Sequence, residues 1–392
     1  ASGKKAATQV KSVELPQEIS VRELSELMDV SPVSLIKQLM RGGIMAWDGQ
    51  LVDDARLVVA VARTAASFGA RIITHAEATQ ISGTGVRVRD RGSGEEFDLA
   101  ARHVIAATGV WAGELDDRVH VHPSRGTHVL LDASRLGNPR AALTIPVPEM
   151  TGRYCFLLPR PDGTVLAGIT DIGVERIEDV PQPPSEDVTW ILEQVSRVLE
   201  SPLVASDVLG AFTGLRPLVT LGATDQGATS DISRKHLVSR APAGHITITG
   251  GKLTTYRRMA QDAVDEITDT PCATTSIALI GAAPDLPPRS PGFFDTDPLV
   301  MRYGAEADRV RALASSLPDP TAALTPVAHH TSVARVDISH ALLHEGARDA
   351  DDVIERRLRL DAVDEDAPAA RAAVEEVLDA LTRAGQVPAG AR

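Results

Sequence analysis

The N-terminal part of the chain carries apolar residues at helical spacing. Leu24, Leu27 and Met28 recur every three to four positions, directly after an S-x-x-E capping pattern. A second apolar series begins after a Ser-Pro pair and ends before two glycines, at Leu35, Ile36, Leu39 and Met40. The pattern therefore predicts a small helical module over residues 1–46.

Residues 47–281 mix the two periodicities. Apolar positions predict helices over 52–63 and 185–199, and a strand, a glycine turn and a helix over 245–268. Alternating or continuous apolar runs predict strands at 70–75, 86–90, near 97, at 104–112, and through most of 120–230. This succession indicates an α/β (α+β) region with mixed sheets.

Helical spacing returns near the C-terminus. Residues 282–294 are rich in proline and predict a linker. Residues 295–386 are dominated by alanine, arginine, leucine and glutamate and predict a C-terminal α-helical domain. We find no internal repeat.

Composition narrows the functional classes. The chain has 392 residues and a net charge of −13, which disfavours a general nucleic-acid or anionic-membrane binder and leaves room only for a local basic cleft. Its two cysteines, Cys155 and Cys272, show neither metal-ligand spacing nor a disulfide framework. No membrane-spanning run and no secretory leader is predicted. We therefore expect a cytoplasmic protein without a metal site.

Lysine usage changes along the chain. Four of the six lysines fall in the first 45 residues, whereas the remainder uses arginine almost exclusively. This shift favours different origins for the two parts. A basic tail with a surface helix would explain it equally simply.

The turn after residue 249 has features of a ligand site. Residues 250–257 read Gly-Gly-Lys-Leu-Thr-Thr-Tyr-Arg and follow an apolar run. The glycines let the backbone approach a ligand, and free N–H groups beside Lys252 suit an anion or an electron-rich ring. Upstream, Arg216 stands between Gly214 and Pro217, and a guanidinium on a stiff backbone suits a phosphate.

Several collinear segments resemble the flavin-dependent glycerol-3-phosphate dehydrogenases. They include Arg-Gly-Thr-His at 125–128, Gly-Ile-Thr-Asp at 168–171, Thr-Gly-Leu-Arg-Pro-Leu at 213–218, the glycine turn at 250–256, and residues 52–57, 106–112, 344–353 and 356–357. The resemblance runs from residue 48 to residue 381. It implies a Rossmann-like FAD-binding domain, an antiparallel substrate domain at about 120–230, and the C-terminal helical domain.

The resemblance also implies an activity. Members of this family oxidise sn-glycerol 3-phosphate to dihydroxyacetone phosphate with FAD and pass the electrons to a quinone-type acceptor. Peripheral contact with the inner face of the membrane and a homodimer are compatible with it, and no nucleic-acid partner is expected.

Residue roles follow from the matched motifs. The catalytic candidates are His128, Arg216 and Lys252, and the substrate-binding candidates are Arg216, Arg234, Lys252 and Thr170. The FAD-binding candidates are Thr108, Gly109, Trp111, Gly250, Gly251, Lys252, Leu253 and Thr254. Histidine titrates near neutral pH and so suits a general base. A structural strand histidine and a surface arginine are the plain alternatives.

One expected motif is missing from the sequence. Rossmann-like FAD domains open with strand, G-x-G-x-x-G and helix, and no such fingerprint occurs here. Residues 13–46 instead resemble the N-terminal domain of bacterial translation initiation factor two. We therefore expect an incomplete FAD-binding domain that lacks its N-terminal dinucleotide-binding segment. The alternative function is a non-catalytic fusion in which the N-terminal module is a translation-factor-type interaction domain.

Overall fold

The computed structural model describes residues 53–148, 153–221, 236–282 and 296–387. The chain divides into two compact units, Ala1–Asp54 and Ala55–Arg392, and the second is described below. The predicted N-terminal module, most of the predicted linker and Arg234 lie outside the described residues.

The second unit begins with helix α1 (Asp54–Ser67), where the sequence predicts a helix. A three-stranded antiparallel meander follows, formed by β1 (Ala76–Ile81), β2 (Gly85–Asp90) and β3 (Glu96–Ala100). The strand predicted over 70–75 is wrong, because these residues form no ladder with any described strand. His75 adopts a positive φ of 56°, which is incompatible with a continuing strand.

Over 104–112 the sequence predicts a buried strand that ends in a glycine turn; the turn is present, but the strand is shorter than expected. Strand β4 covers only Ile105–Ala106, and the chain then turns at Gly109, whose φ is 57°. A 3₁₀ turn at Gly109–Trp111 leads into the short helix α2 (Ala112–Leu115). The rest of the apolar run therefore forms a turn and a short helix. An apolar run alone does not distinguish these elements from a buried strand.

The largest sheet is antiparallel and has six strands. Its strands are β5 (Val119–Asp132), β6 (Leu143–Pro146), β7 (Tyr154–Pro159), β8 (Thr164–Gly168), β9 (Ile172–Gly173) and β10 (Val208–Leu221). The order is β10-β5-β8-β7-β6, and β9 pairs with β5. Strand β10 is the edge strand of this path, which explains how it accommodates Pro217, since proline cannot donate to a ladder.

One face of this sheet carries helix α3 (Ser185–Ser196), which the sequence predicts. Apolar residues at Val188, Ile191, Leu192 and Val195 recur at helical spacing and form the stripe that faces the strands. Alternate residues of the strands supply the other half of this core, at Val129, Leu131, Leu157, Val165 and Ala167. The opposite face of the sheet is therefore left for other contacts.

A third sheet combines strands that are distant in sequence. Strand β12 (Ile246–Gly250) pairs antiparallel with β11 (His236–Arg240) and parallel with β4. The glycine turn follows β12, and helix α4 (Tyr256–Asp265) begins after it. The predicted strand, turn and helix over 245–268 are thus confirmed.

The C-terminal part is helical, as predicted. It contains α5 (Pro298–Tyr303), α6 (Ala307–Ala312), α7 (Arg335–His344), a π-helix (Asp352–Leu358) and α8 (Ala367–Arg383), which enclose one apolar core. The predicted α/β fold with an antiparallel domain and C-terminal helices is confirmed. Among the described residues, no helix combines the length and hydrophobicity needed to cross a bilayer.

Candidate active site

A cavity of about 440 Å³ lies where β8 ends and α3 begins. Its walls come from β7, the turn after β8, the first turn of α3 and β10. The lining residues are Val147, Arg153, Tyr154, Phe156, Ile169, Thr170, Asp171, Ile172, Glu186, Asp187, Trp190 and Arg216. Two of the predicted substrate-binding residues, Thr170 and Arg216, thus line one cavity.

The Arg216 guanidinium is held by the turn after β8. Its Nη2 donates to the backbone oxygen of Thr170 at 3.1 Å, and its Nη1 lies 3.4 Å from the Ser124 hydroxyl. The guanidinium lies directly above Gly126, where an added Cβ would stand 2.3 Å from Nη2. Gly126 thus provides the space that this guanidinium occupies, and the close approach requires glycine.

Asp171 connects two arginines at the cavity. Arg153 Nη1 lies 3.1 Å from one of its carboxylate oxygens, and Arg216 Nη1 lies 3.6 Å from the other. The Ser124 hydroxyl also donates to this carboxylate. Side chains of Arg153 and Arg216 retain 30% and 29% exposure, so both cations remain accessible to a ligand.

Asp187 joins α3 to the sheet. Its carboxylate accepts two bonds from Arg125, at 2.9 and 3.0 Å, and one from the Thr127 hydroxyl at 2.6 Å. Burial alone would raise the pKa of Asp187, but the bonds from Arg125 and Thr127 outweigh it and hold the pKa below its usual range. The Thr170 hydroxyl, 3.3 Å away, accepts from the Thr127 amide and so continues the network.

His128 lies on the same face of the sheet as Arg216. In the β5–β10 ladder His128 pairs with Phe212, and Ser124 pairs with Arg216, so both side chains point to one side. The imidazole stacks on Phe212 with ring centroids 5.2 Å apart. On the other side Gly168 makes room for it, since a Cβ there would lie 2.5 Å from the ring. His128 itself does not line the cavity.

A second candidate region lies at the carboxyl ends of the parallel strands β4 and β12. Two glycines with positive φ follow β12, Gly250 at 77° and Gly251 at 72°. The Thr249 hydroxyl donates to Gly109 O at 2.9 Å, which ties the two loops together. Ligands of α/β folds bind at this edge of a parallel sheet.

The side chains at this edge suit the flavin that the resemblance implies. Trp111 and Leu253 expose 38% and 40% of their surface, and Lys252 and Thr254 are also exposed. The buried Thr108 hydroxyl has no hydrogen-bond partner among the described residues, so a ligand can satisfy it. The predicted FAD-binding residues therefore lie along one edge.

The structure arranges the predicted residues in two groups. Arg216, Thr170 and His128 belong to the large sheet and the turn beside it, whereas the FAD-binding candidates and Lys252 belong to the smaller one. Strand β10 contacts both β12 and the turn at Gly109–Trp111, so the two groups occupy adjoining parts of the molecule.

Sequence reasoning missed Arg153 and Asp187, which line the cavity, and Ser124 beside it. Arg153 and Ser124 bind Asp171, and Asp187 organises the wall behind it. Ser124 directly precedes the Arg-Gly-Thr-His motif, and this position is the sequence signal that points to it. In the sequence, Asp187 resembles any acidic residue in the first turn of a helix. The sequence therefore does not indicate its bonds to Arg125 and Thr127.

Comparison with known proteins identifies the class. The family model of FAD dependent oxidoreductases matches residues 4–257, and the model of the C-terminal domain of alpha-glycerophosphate oxidase matches residues 272–386. The chain therefore belongs to the FAD-dependent oxidoreductases, and within them to the family of the glycerol-3-phosphate dehydrogenases.

Particular relatives support this assignment. Glycerol-3-phosphate dehydrogenase 1 of Mycobacterium tuberculosis is 43% identical over 387 residues, which span 96% of this chain and 72% of the relative. Glycerol-3-phosphate dehydrogenase of Mycobacterium leprae is 33% identical over 354 residues, or 81% of this chain and 57% of the relative. The glycerol-3-phosphate dehydrogenase from Bacillus halodurans, solved with FAD, shares the fold with a TM-score of 0.62 at 24% identity, over 85% of this chain and 72% of that one.

Proposed function

We propose that this protein oxidises sn-glycerol 3-phosphate to dihydroxyacetone phosphate with FAD, and passes the electrons to a quinone-type acceptor. The observation that carries the proposal is the Arg216 guanidinium, which lies over Gly126 beside a cavity and on the same sheet face as His128. The relatives named glycerol-3-phosphate dehydrogenase supply the substrate class.

The phosphate is assigned to Arg216 and Arg153. Both guanidinium groups contact Asp171, at 3.6 and 3.1 Å. A dianionic phosphate offers more acceptor oxygens than this carboxylate, and arginine binds it through parallel charge-assisted bonds. The network behind Asp171 keeps Thr170 in place while the ligand binds.

The carbon chain of the substrate is assigned to the space between Arg216 and His128. Along the ladder these residues are separated by the Gly126–Gly214 pair, and an added Cβ at Gly214 would meet no atom within 4 Å. A small polyol phosphate can therefore lie along the strands with its phosphate at Arg216 and its C2 hydroxyl toward His128.

Oxidation at C2 removes a hydride and a proton. When bound, FAD supplies the acceptor for the hydride. His128 accepts the hydroxyl proton as the C2–O bond becomes a carbonyl, so the substrate loses two electrons and two hydrogens. Stacking on Phe212 and contact with Gly168 hold the imidazole in one orientation for this transfer.

The cofactor is assigned to the edge formed by β4 and β12. Thr108, Gly109 and Trp111 are the contacts from one loop, and Gly250, Gly251, Lys252, Leu253 and Thr254 are those from the other. Because Lys252 is cationic, it stabilises negative charge placed on the cofactor. Arg234, whose structure is not described, stays a predicted substrate ligand.

The test is reduction of the protein-bound flavin by substrate. The chain is incubated with excess FAD, and the loss of flavin absorbance is followed anaerobically with sn-glycerol 3-phosphate or glycerol. We expect reduction by the phosphate ester and a rate at least about tenfold lower with glycerol. Equal rates with both would contradict the phosphate site, and no reduction by either would contradict the proposed reaction.

His128→Asn separates binding from chemistry. We expect an unchanged dissociation constant for glycerol 3-phosphate, measured by calorimetry, and a rate of flavin reduction lower by about 10²–10⁴-fold. His120→Asn is the matched control, since His120 is an exposed residue of the same strand. A His128 variant that reduces at the control rate would show that this histidine is structural.

Flavin retention is a separate prediction. Because the chain carries no G-x-G-x-x-G, which presents helix N–H groups to the pyrophosphate, we expect FAD to bind weakly and to be lost on gel filtration. Stoichiometric flavin in the filtered protein would contradict this prediction.

We further propose that residues 13–46 are an interaction module of the translation-factor type, on the strength of their resemblance and of the lysine-rich composition. The oxidoreductase model, which matches from residue 4, includes these residues and favours the opposite interpretation. Removal of residues 1–46 distinguishes the two, because a separate module leaves flavin binding unchanged. Membrane contact and a homodimer stay predictions, to be tested by vesicle sedimentation and light scattering.

A further inference from the structure

A buried histidine in the C-terminal helical domain has no evident structural role. His330 lies before α7, and its side chain is only 7% exposed. Neither of its ring nitrogens has a hydrogen-bond partner among the described residues. Buried polar atoms are normally paired, so the arrangement points to a group that the protein residues alone do not supply.

Two carboxylates stand on one side of this imidazole. Nδ1 lies 3.3 Å from Glu365 Oε1 and 3.8 Å from Asp366 Oδ2. One ligand atom of each of the three residues lies within 4.8 Å of the others. Ligand atoms about 2.0–2.2 Å from a tetrahedral zinc ion are about 3.3–3.5 Å apart. The Nδ1–Oε1 separation of 3.3 Å matches such an edge, and the Nδ1–Oδ2 separation of 3.8 Å is slightly longer.

The other side of the ring faces a third carboxylate. Nε2 lies 3.6 Å from Asp132 Oδ2, at the end of β5. A metal-binding histidine typically directs its second nitrogen toward a carboxylate, which sets the tautomer. Asp132 occupies the place of that outer partner.

The surroundings orient the ligands and leave an entry path. Asp366 accepts backbone N–H bonds from His329 at 3.3 Å and His330 at 2.6 Å, so its carboxylate is fixed. The Glu365 side chain is 64% exposed and connects the site to solvent. An ion can therefore reach the site without opening the core.

A protonated His330 without a metal is the main alternative explanation. An imidazolium would pair with the surrounding carboxylates, but charge-assisted hydrogen bonds measure about 2.7–2.9 Å. On the Glu365 and Asp366 side, the observed separations of 3.3 and 3.8 Å exceed this range. The spacing fits a cation between the groups better than direct pairing.

We propose that His330, Glu365 and Asp366 bind a divalent transition-metal ion of the zinc class, with Asp132 as the outer partner of His330. Imidazole with carboxylates suits zinc or a similar ion and disfavours magnesium and calcium. This differs from the sequence expectation, which rested on cysteine spacing alone. The ion would join the helical domain to the large sheet, where Asp364 N already donates to Leu209 O at 3.0 Å.

The test uses the full chain after treatment with a chelator and gel filtration. Calorimetric titration with Zn²⁺, and absorbance titration with Co²⁺, should each show one saturable equivalent at neutral pH. His330→Ala should abolish it, and Glu365→Gln, at an exposed position, should weaken it at least about tenfold. Asp132→Asn should cost about 10–100-fold in affinity.

A matched control is offered by the second His-Asp-Asp cluster, at His75, Asp349 and Asp352. There the imidazole Nε2 already bonds Asp352 at 2.9 Å, so the proposal assigns it no ion. His75→Ala should therefore leave the Zn²⁺ titration unchanged. Zinc should also raise the melting temperature of the parent chain and of His75→Ala, and not that of His330→Ala.

Two results would overturn the proposal. One is the absence of a saturable Zn²⁺ or Co²⁺ site in the parent chain. The other is an equivalent that survives in folded His330→Ala, or one whose affinity is unchanged in Glu365→Gln. Because the Glu365 position is exposed, that variant gives an answer even if His330→Ala fails to fold.

Discussion

Two of the clusters in which arginines meet carboxylates differ in burial and in pairing. Between α1 and the C-terminal helices, Arg56 and Glu345 are 10% and 0% exposed. At the cavity, Arg153 and Arg216 are 30% and 29% exposed. Contacts between arginine and a carboxylate therefore occur in one buried and one partly exposed environment.

In the helical cluster, each of two arginines forms two hydrogen bonds with one carboxylate. Arg56 forms two bonds with Glu345, at 2.6 and 2.5 Å, and Arg63 forms two with Glu306, at 2.6 and 2.9 Å. Arg56 also lies 4.9 Å from the centre of the Tyr303 ring. Because these bidentate pairs are buried, a ligand cannot easily replace the carboxylates. The cluster therefore holds α1 to the helical domain.

The cavity cluster is looser. Arg153 and Arg216 approach Asp171 at 3.1 and 3.6 Å, and both line the cavity. Accessible cations beside a cavity suit an incoming anion, whereas saturated buried pairs do not. The comparison thus separates a structural cluster from a binding cluster, and each of the following changes tests that division.

Glu345→Ala should have the largest effect. Removing Glu345 takes the carboxylate away from the buried Arg56 charge and costs about 3–5 kcal/mol of unfolding free energy. Chemical denaturation of the chain measures it. The control is Glu376→Ala, whose pairing with Arg335 is 51% exposed on the glutamate side and should matter by less than about 1 kcal/mol. Similar losses in both variants would refute a special role for the buried cluster.

Arg216→Ala should act on the ligand and not on stability. Loss of a charge-assisted bidentate contact costs about 2–4 kcal/mol, so glycerol 3-phosphate should bind about thirty- to a thousandfold more weakly while glycerol is unaffected. Calorimetry with both ligands measures this. Arg160→Ala serves as the control, because Arg160 pairs with Asp162 in the same sheet and does not line the cavity. Equal weakening of both ligands would make Arg216 structural.

His340, in the helical cluster, should make stability depend on pH. Burial lowers the pKa of its imidazole from 6.5 to about 4, and Glu345, 3.4 Å away, offsets this only in part. Below pH 6.5 the unfolded chain therefore binds a proton that the folded chain does not. Stability is complete at neutral pH and falls toward pH 4, by about 2–3 kcal/mol.

His340→Gln tests that dependence. The variant should lose part of the slope of unfolding free energy against pH between about 4 and 6.5, relative to the parent chain. His103→Gln, at an exposed position, should keep it. An unchanged slope in the His340 variant would mean that other groups cause the acid sensitivity.

Much of the fold was predictable from periodicity. The helices α1 and α3, the strand–turn–helix around Gly250 and the C-terminal helices follow local apolar spacing, which a sequence displays directly. The strand predicted over 70–75 failed, although Ile72 and Ile73 are apolar. A strand also needs a ladder partner, and pairing between distant segments leaves no trace in local spacing.

The candidate site was predictable only in part. Sequence motifs identified Arg216, Thr170 and His128 as candidates. Only the tertiary contacts identify Arg153, Ser124 and Asp187. The cluster around Arg56 and Glu345 joins positions 289 residues apart in the chain. Residues that act through such long-range pairs carry no local signature.

The smallest and most selective change is Gly126→Ala. The new Cβ would stand 2.3 Å from Arg216 Nη2, the end of a flexible side chain, so the guanidinium should move while the sheet stays intact. We expect glycerol 3-phosphate to bind about three- to tenfold more weakly, with less than about 1 kcal/mol lost in stability.

Gly214→Ala is the matched control, because Gly214 pairs with Gly126 across the ladder and its added Cβ meets nothing within 4 Å. It should leave stability near the parent value. Because its Cβ would enter the space assigned to the substrate's carbon chain, binding of glycerol and of glycerol 3-phosphate should be weakened to a similar extent. If Gly126→Ala instead lowers stability and leaves affinity intact, Gly126 serves the packing of the sheet and the guanidinium is not held for a ligand. The cavity cluster would then be structural, like the cluster around Arg56.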